Sequence, residues 1–205
     1  YAYNDEGLLS GVTDALGAEK LFEYNRDGLL SHLRNQLGAN FYWEYEGRGV
    51  NARCVHTWGD DGILEYHTRY EQGKTYATNS LGHTTIYEYD ERYLITKITS
   101  PEGGISHYVY DDFENLVLSI DPMGASTKYH YDKRGKLLSR TDALGEVANF
   151  SYDEQGRLLR AKSPMGETFE RRFNEEGLLC DVFYPDGGSL HLRYKGSHPV
   201  ELQDE

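Results

Sequence analysis

Aromatic and aliphatic positions recur along this chain about every 21 residues, and this pattern predicts its strands. The aromatic residue before the first turn of each copy recurs at steps of 21, 21, 25, 19, 21, 21, 21, 21 and 21 residues. These residues are Tyr3, Tyr24, Tyr45, Tyr70, Tyr89, Tyr110, Tyr131, Tyr152, Phe173 and Tyr194. A period held over the whole chain indicates a repeat architecture, in which each unit buries its apolar face against its neighbours.

One copy, residues 146–166, shows what each repeat encodes. Residues 146–152 place aromatic side chains at alternate positions without proline, which predicts a strand. Residues 153–156 predict a type I turn closed by a left-handed glycine, and 157–162 predict the returning strand. Residues 163–166 predict a second turn, with Pro164 fixing φ at its second position. Each repeat therefore predicts two strands and two short turns.

Two copies depart from the glycine that closes the first turn. Tyr93 and Glu114 take its place, where a positive φ would strain a side chain by about 1 kcal/mol. At the second of these places Asn115 could adopt the left-handed conformation instead, by a one-residue shift. The glycines at this position are Gly7, Gly28, Gly135, Gly156 and Gly177.

Short connections make consecutive strands antiparallel neighbours. The fold class predicted is therefore all-β, with antiparallel β-hairpin repeats of period 21 in one long sheet. We expect this sheet to spiral, because each strand rotates by ~20–25° against the next. We expect residues 1–205 to form a single array of about nine to ten repeats, starting and ending in mid-repeat, with an atypical longer repeat at 45–70.

Composition narrows the class of protein further. The net charge is −13 and the chain has no basic run, which disfavours a nucleic-acid partner or an anionic membrane surface. No stretch approaches the ~20 apolar residues of a membrane helix, so we expect no membrane insertion by this segment. Hydrophobic residues make up 38%, and 18 residues are tyrosine. A layer one sheet thick, wet on at least one face and held by amphipathic tyrosines, fits this composition.

Candidate chemistry is sparse. The aspartate after the repeat tyrosine is Asn4, Asn25 and Asn174 in three copies, so it is expected to cap a turn and not to act as an acid. The eight histidines match no metal-ligand spacing. Cys54 and Cys180 suit small buried apolar positions. We predict no catalytic, cofactor or metal site, and no enzyme.

The irregular third repeat is the one place with a candidate site. Both tryptophans of the chain lie there, together with Cys54 and His56. Its extra residues are interpreted first as a longer loop or a bulge that bends the sheet. Alternatively, Trp43, His56 and Trp58 form a contact for a partner or a sugar.

The repeated Tyr-Asp pair resembles the signature of the rearrangement-hotspot (Rhs) or YD-repeat family. Residues 156–158 and 121–124 match the two turns of that family, and residues 53–62 resemble a longer atypical repeat of bacterial Rhs cores. The similarity covers essentially the whole chain. A self-cleaving aspartate motif, common at the end of bacterial shells, is not found in residues 187–205. The signature is carried by residues 87–90, 108–111, 129–132 and 150–153.

The resemblance implies a function that the periodicity alone does not give. Members of the family form hollow β-shells that enclose a polypeptide toxin, in polymorphic toxins, insecticidal toxin complexes and type VI secretion effectors. The implied partners are the remaining repeats of a parent chain, an enclosed toxin polypeptide and secretion-apparatus proteins. The implied protein is assembled in the cytoplasm of a Gram-negative bacterium and then secreted or delivered.

Two alternatives remain from other classes. One is an extracellular adhesion module like the related teneurins, or a carbohydrate-binding repeat, although such repeats are usually rich in tryptophan. The other is an enzyme whose activity is borne by the shell itself, for which the sequence offers no constellation of residues. A toxin-like domain following the repeats in the parent reading frame would favour the shell, and a membrane anchor would favour the adhesion protein.

Overall fold

The computed structural model of the protein describes residues 1–204, and almost all of them belong to antiparallel strands or the tight turns between them. Two single-turn 3₁₀ helices, Gly49–Asn51 and Asp60–Gly62, are the helical elements of that range. The predicted all-β fold of antiparallel hairpin repeats is therefore confirmed. The chain divides into two compact units, Tyr1–Ile105 and Ser106–Glu205.

Within the first unit, each strand pairs with the next one along the chain. Its strands are β1 (Ala2–Tyr3), β2 (Leu9–Thr13), β3 (Glu19–Tyr24), β4 (Leu30–Arg34), β5 (Asn40–Glu46), β6 (Arg53–Gly59), β7 (Tyr66–Glu71), β8 (Lys74–Asn79), β9 (Thr84–Tyr89) and β10 (Ile95–Thr99).

The second unit repeats the same meander, again with each strand paired to the next. Its strands are β11 (Ile105–Tyr110, which begins at the boundary), β12 (Leu116–Ile120), β13 (Ser126–Tyr131), β14 (Leu137–Thr141), β15 (Val147–Tyr152), β16 (Leu158–Lys162), β17 (Thr168–Phe173), β18 (Leu179–Phe183), β19 (Ser189–Lys195) and β20 (His198–Asp204).

The aspartate-to-glycine turns form as the sequence predicts. Asp132 Oδ1 accepts hydrogen bonds from the N–H groups of Arg134 at 2.8 Å and Lys136 at 2.9 Å. The N–H of Gly135 donates to the Asp132 carbonyl, and Gly135 has φ +74°. The side chain thus satisfies turn amides that the strands cannot reach, while glycine supplies the left-handed conformation. Asparagine does the same work, because Oδ1 of Asn4, Asn25 and Asn174 accepts from the corresponding amides.

The two glycine-free turns keep the same backbone. Tyr93 has φ +64° and Glu114 has φ +66°, so both side chains occupy the left-handed region as expected. Since Glu114 itself takes this conformation, the alternative shift of the turn onto Asn115 is wrong.

Within each unit, the sheet has one aromatic and one more polar face. In the repeat at 147–162, Tyr152 lies opposite Leu158, and Ser151 lies opposite Arg160. Because successive side chains point to opposite faces, the repeat tyrosines and their aliphatic partners share one face, which we call the aromatic face. The other face is called the polar face. Ala148 and Val182 are the buried hydrophobic residues of the described range, which fits the expected single layer.

Several of the repeat tyrosines also link their repeat to the one before it. Tyr131 illustrates the geometry, because its hydroxyl donates to the carbonyl of Leu116. The last residue pair between β12 and β13 is Leu118 with Lys128, and Leu116 lies beyond it. The phenol thus satisfies a carbonyl that the neighbouring strand does not reach. Five such bonds of 2.7–2.9 Å are Tyr24 to Leu9, Tyr45 to Leu30, Tyr70 to Cys54, Tyr131 to Leu116 and Tyr194 to Leu179.

Candidate ligand surface at the irregular repeat

The irregular repeat owes its extra length to two connections. The loop between β5 and β6 holds the 3₁₀ turn Gly49–Asn51, and the loop between β6 and β7 covers residues 60–65. Asp60 anchors the second loop, because Oδ2 accepts from the backbone N–H of Asn40 at 2.8 Å. Leu64 takes φ +54°, which places an irregular step just before Glu65. The interpretation as longer loops is therefore correct, and the second loop directs Glu65 back toward the sheet.

Five rings from four neighbouring strands stack in a row on the polar face beside this loop. The ring centroids are 4.8 Å apart between His32 and Tyr42, and 5.3 Å apart between Tyr42 and Trp58. They are 4.2 Å apart between Trp58 and His56, and 4.0 Å apart between His56 and His67. Interplanar angles of 11–25° make all four contacts stacked. We call these five residues the ring ladder.

The structure brings together only two of the three residues singled out from the sequence. His56 and Trp58 are neighbours in the ring ladder, on the polar face. Trp43 lies opposite Thr57 in the ladder of β5 and β6, whereas Tyr42 lies opposite Trp58. Strand alternation therefore puts Trp43 on the aromatic face. A ligand on the polar face would contact Trp58 and His56 but not Trp43.

A carboxylate and two imidazoles converge at the end of the ring ladder. Glu65 Oε1 lies 3.1 Å from His56 Nε2 and 3.4 Å from His67 Nε2. Glu44 Oε2 lies 3.4 Å from the other ring nitrogen of His56. The side chains of His56 and Glu65 are 20% and 30% exposed, so the cluster is partly withdrawn from water. A shallow depression of about 580 Å³ on this face is lined by Glu44, His56 and His67 among others.

Sequence reasoning missed this cluster. The expectation that the histidines form no ligand set considered spacing along the chain, where His56, Glu65 and His67 match no local motif. They meet because His56 and His67 are register partners across β6 and β7. Predicting the register of β6 against β7 would have revealed that the two histidines are neighbours.

The cysteine of this repeat is a poor reactive group. Cys54 lies opposite Tyr45, and therefore on the aromatic face, away from the histidines. Burial raises the pKa of the Cys54 thiol, which outweighs an opposing backbone hydrogen bond at His56. The thiol is then protonated at neutral pH and is neither a strong nucleophile nor a ready metal ligand. Both cysteines are free and partly exposed, so the expectation that they are buried does not hold.

A second polar network lies at the other end of the chain. His191 Nδ1 is 2.7 Å from Asp181 Oδ1, and His191 Nε2 is 3.1 Å from Ser189 Oγ. This is the order of hydroxyl, imidazole and carboxylate that serine hydrolases use. Acyl transfer also requires hydrogen-bond donors that are preorganised for the oxyanion. The network consists of the three named side chains alone, on the paired strands β18 and β19, so it does not by itself amount to a hydrolase site.

Most of the second turns carry an exposed apolar side chain just before their glycine, whereas Glu102 and Asp186 hold that position in two others. In the first unit, Leu16 and Leu37 are each 94% exposed, and Leu81 shares their position. In the second unit, Met123, Leu144 and Met165 occupy the equivalent place and are as open. The corresponding position of the first turns carries mainly charged or polar residues, namely Glu6, Asp27, Arg92, Arg134, Gln155 and Glu176, with Phe113 in one copy. We call the row formed in each unit the apolar rim.

Comparison with known proteins bears on the repeat and on the fold. The sequence model of the RHS repeat family matches residues 110–147 and 131–168. No curated protein matches the chain in sequence. The described residues contain no helix with the length and apolar character needed to cross a membrane.

Three solved structures share the fold. The crystal structure of TcdB2-TccC3 superposes with a TM-score of 0.63 at 12% identity, over 92% of this chain. The same complex without its hypervariable C-terminal region gives 0.65 at 12% identity over 98% of this chain. A Photorhabdus luminescens Tc holotoxin pore gives 0.56 at 12% identity over 98%. The chain spans 12% of the length of each of these matched chains.

Proposed function

We propose that this chain, a segment of RHS repeats, forms part of the spiralling wall of a hollow shell that encloses a toxin polypeptide and helps to deliver it. The observation that carries the proposal is the repeat itself, which the RHS model matches at residues 110–168. The shared fold with TccC3-containing toxin complexes supports the same assignment. The enclosed polypeptide and the remaining repeats of the parent chain are the proposed partners.

The apolar rim supports a wall whose windings touch one another. Exposed leucine and methionine side chains at one kind of turn are unfavourable, because their apolar surface remains in contact with water. Burying that surface would stabilise the protein by ~25 cal/mol per Å². In the proposed shell, the rim packs against neighbouring repeats of the parent chain. Met123, Leu144 and Met165 form such a set within the second unit.

This contact has a direct test. Replacing Met123, Leu144 and Met165 together with serine should change the melting temperature of the 205-residue chain by no more than about 3 °C, since exposed positions contribute little to stability. The same triple substitution in the parent protein should make the shell protease-sensitive. A matched triple substitution at the polar first-turn positions Arg134, Gln155 and Glu176 serves as the control. Equal protease resistance of both triple variants and the wild type would contradict rim packing.

The wall assignment makes the segment a scaffold and not a catalyst. The recurrent carboxylates are occupied in turns, as Asp132 shows, and asparagine replaces them at the same turn in other copies. The family resemblance adds three features to this proposal. They are delivery in the manner of a type VI effector or a polymorphic toxin, export from a Gram-negative cell, and assembly in the cytoplasm.

An adhesion or carbohydrate-binding module is the second candidate, and the ring ladder is the observation that favours it. The rings of the ladder cover one another's faces, so a sugar would contact their edges and the polar tips of Tyr42 and Trp58. Binding of soluble oligosaccharides to the chain, abolished by Trp58→Ala and retained in Trp43→Ala, would favour that function over the wall.

The parent protein provides the test of enclosure. Asp132→Asn should leave cargo protection intact, because Asn4 fills the equivalent position. Deletion of residues 132–153 removes one residue more than a period and should reverse the faces of every later strand. Deletion of residues 132–152, one full period, is the matched control, since it keeps the alternation. We expect limited proteolysis to degrade the cargo faster in the 132–153 deletion than in the control. Loss of delivery in Asp132→Asn with a protected cargo would instead indicate a chemical role.

A further inference from the structure

The cluster of two imidazoles and one carboxylate between β6 and β7 has the donor set of a metal site. One nitrogen each from His56 and His67 and one oxygen of Glu65 lie within 4.8 Å of one another. We propose that these three side chains bind a divalent transition-metal ion, with Zn²⁺ as the best match. This site is independent of the proposed shell function.

The spacing suits a tetrahedral ion. The Glu65 oxygen lies 3.1 Å from His56 Nε2 and 3.4 Å from His67 Nε2. An ion with bonds of about 2.0–2.2 Å to nitrogen and oxygen separates its ligand atoms by roughly 3.4 Å. The two imidazole nitrogens lie within 4.8 Å of each other. Because the rings stack at 4.0 Å with an interplanar angle of 12°, the more exposed His67 must tilt out of the stack for both nitrogen lone pairs to point at the ion. Small side-chain adjustments therefore admit the ion, and a water molecule would complete the coordination.

The surroundings hold His56 in a ligating orientation. Glu44 Oε2 lies 3.4 Å from His56 Nδ1, so a proton on Nδ1 can be shared with this carboxylate while Nε2 faces the ion. Trp58 stacks on the opposite side of the His56 ring, at 4.2 Å, and restricts its rotation. His67 is 59% exposed, which leaves an entry path from solvent.

Neighbouring charges and donors decide which ion fits. Arg69 lies two residues beyond His67 on the same face, where its charge is compensated by an ion pair with Glu71. The Cys54 thiol lies on the aromatic face and therefore points away from an ion bound on the polar face. Two imidazoles and one carboxylate favour Zn²⁺ and its transition-metal neighbours over Mg²⁺ and Ca²⁺, which prefer sites made of oxygen.

The ion would cross-link β6 and β7, two strands that few residue pairs join. β6 and β7 are joined by the pairs His56 with His67 and Thr57 with Tyr66, next to the loop at 60–65. An ion on His56, Glu65 and His67 links β6, the loop and β7 at one point. Because the ion binds only the folded arrangement, it should stabilise the chain by mass action.

Calorimetric titration of the metal-stripped chain tests the proposal. The 205-residue chain, prepared without a histidine tag, is titrated with Zn²⁺ beside His67→Asn, Glu65→Gln and the control His107→Asn. We expect one ion per chain in the wild type and the control, and binding weaker by at least about tenfold in the two ligand variants. His67 is exposed enough for its substitution to leave folding intact. Absence of binding to the wild type, or equal binding by the ligand variants, would overturn the site.

Tryptophan fluorescence gives a second readout that locates the ion. In a Trp43→Phe background, the only tryptophan left is Trp58, which stacks on His56. Co²⁺ should quench its emission with saturation at one equivalent, and His67→Asn should abolish this quenching. In a Trp58→Phe background, Trp43 on the opposite face should respond weakly. Equal quenching in both backgrounds would show that the ion binds elsewhere and would overturn the assignment.

Discussion

Removing the hydroxyl of Tyr131 should weaken the chain by a measurable amount. The hydroxyl donates to the carbonyl of Leu116 at 2.9 Å, one of the bonds that link successive repeats. Burial raises the pKa of the Tyr131 phenol, followed by the effects of Tyr129 and Asp111, so the group remains a donor at neutral pH. Tyr131→Phe keeps the ring and leaves the carbonyl without this donor.

The expected loss is about 0.5–1.5 kcal/mol, the net contribution of one hydrogen bond in a protein. For a chain of 205 residues, each kcal/mol corresponds to roughly 2–4 °C in melting temperature. Tyr131→Phe should therefore lower the melting temperature by about 1–6 °C. Urea unfolding followed by circular dichroism should give the same change as a lower midpoint at an unaltered slope.

Tyr129 is the matched control for this measurement. It lies on the same strand and the same face, and its hydroxyl is 3.4 Å from Ser119 Oγ, at the limit of a hydrogen bond. Tyr129→Phe should therefore cost clearly less than Tyr131→Phe. If both variants melt together with the wild type, or if Tyr129→Phe is the more damaging change, the inter-repeat hydroxyl bond does not have the role assigned to it.

Three further predictions concern turns and chemistry. Tyr93→Gly should raise the melting temperature, because it removes a side chain from φ +64°, whereas Gly156→Val should lower it; equal melting of Gly156→Val and wild type would refute the turn assignment. The Lys136 N–H, joined by the Arg134 N–H and both cations, holds the Asp132 pKa below its usual range. The ionised Asp132 carboxylate should therefore stabilise the fold above about pH 4, and this contribution should fade as the pH falls further. The urea midpoints of wild type and Asp132→Asn should converge or cross in acid. A constant difference between the two midpoints would contradict this. An alkyl fluorophosphonate should not label Ser189; labelling that Ser189→Ala removes would establish a hydrolase.

The repeat architecture was predictable because its determinants are local. Asp132 and Gly135 set a turn through contacts within five residues, and the 21-residue period copies that turn along the chain. Alternation then fixes which side chains share a face. Even the glycine-free turn at Glu114 follows the pattern, with its own φ at +66°.

The metal cluster was not predictable from spacing, because it depends on register after an irregular loop. His56 meets His67 only through the pairing of β6 with β7, and Glu65 reaches both after the left-handed step at Leu64. The grouping of Trp43 with Trp58 failed for a related reason. Their separation onto two faces depends on the partner of each residue across β5 and β6, which the sequence pattern leaves open.

Electron cryomicroscopy of the purified parent protein is the most direct test of the wall. The account predicts that these 205 residues form a continuous strip of a closed shell, with density for a polypeptide inside and with Met123, Leu144 and Met165 packed against adjacent repeats. A map in which the repeats form an open surface, with the apolar rim in solvent and no enclosed chain, would contradict it.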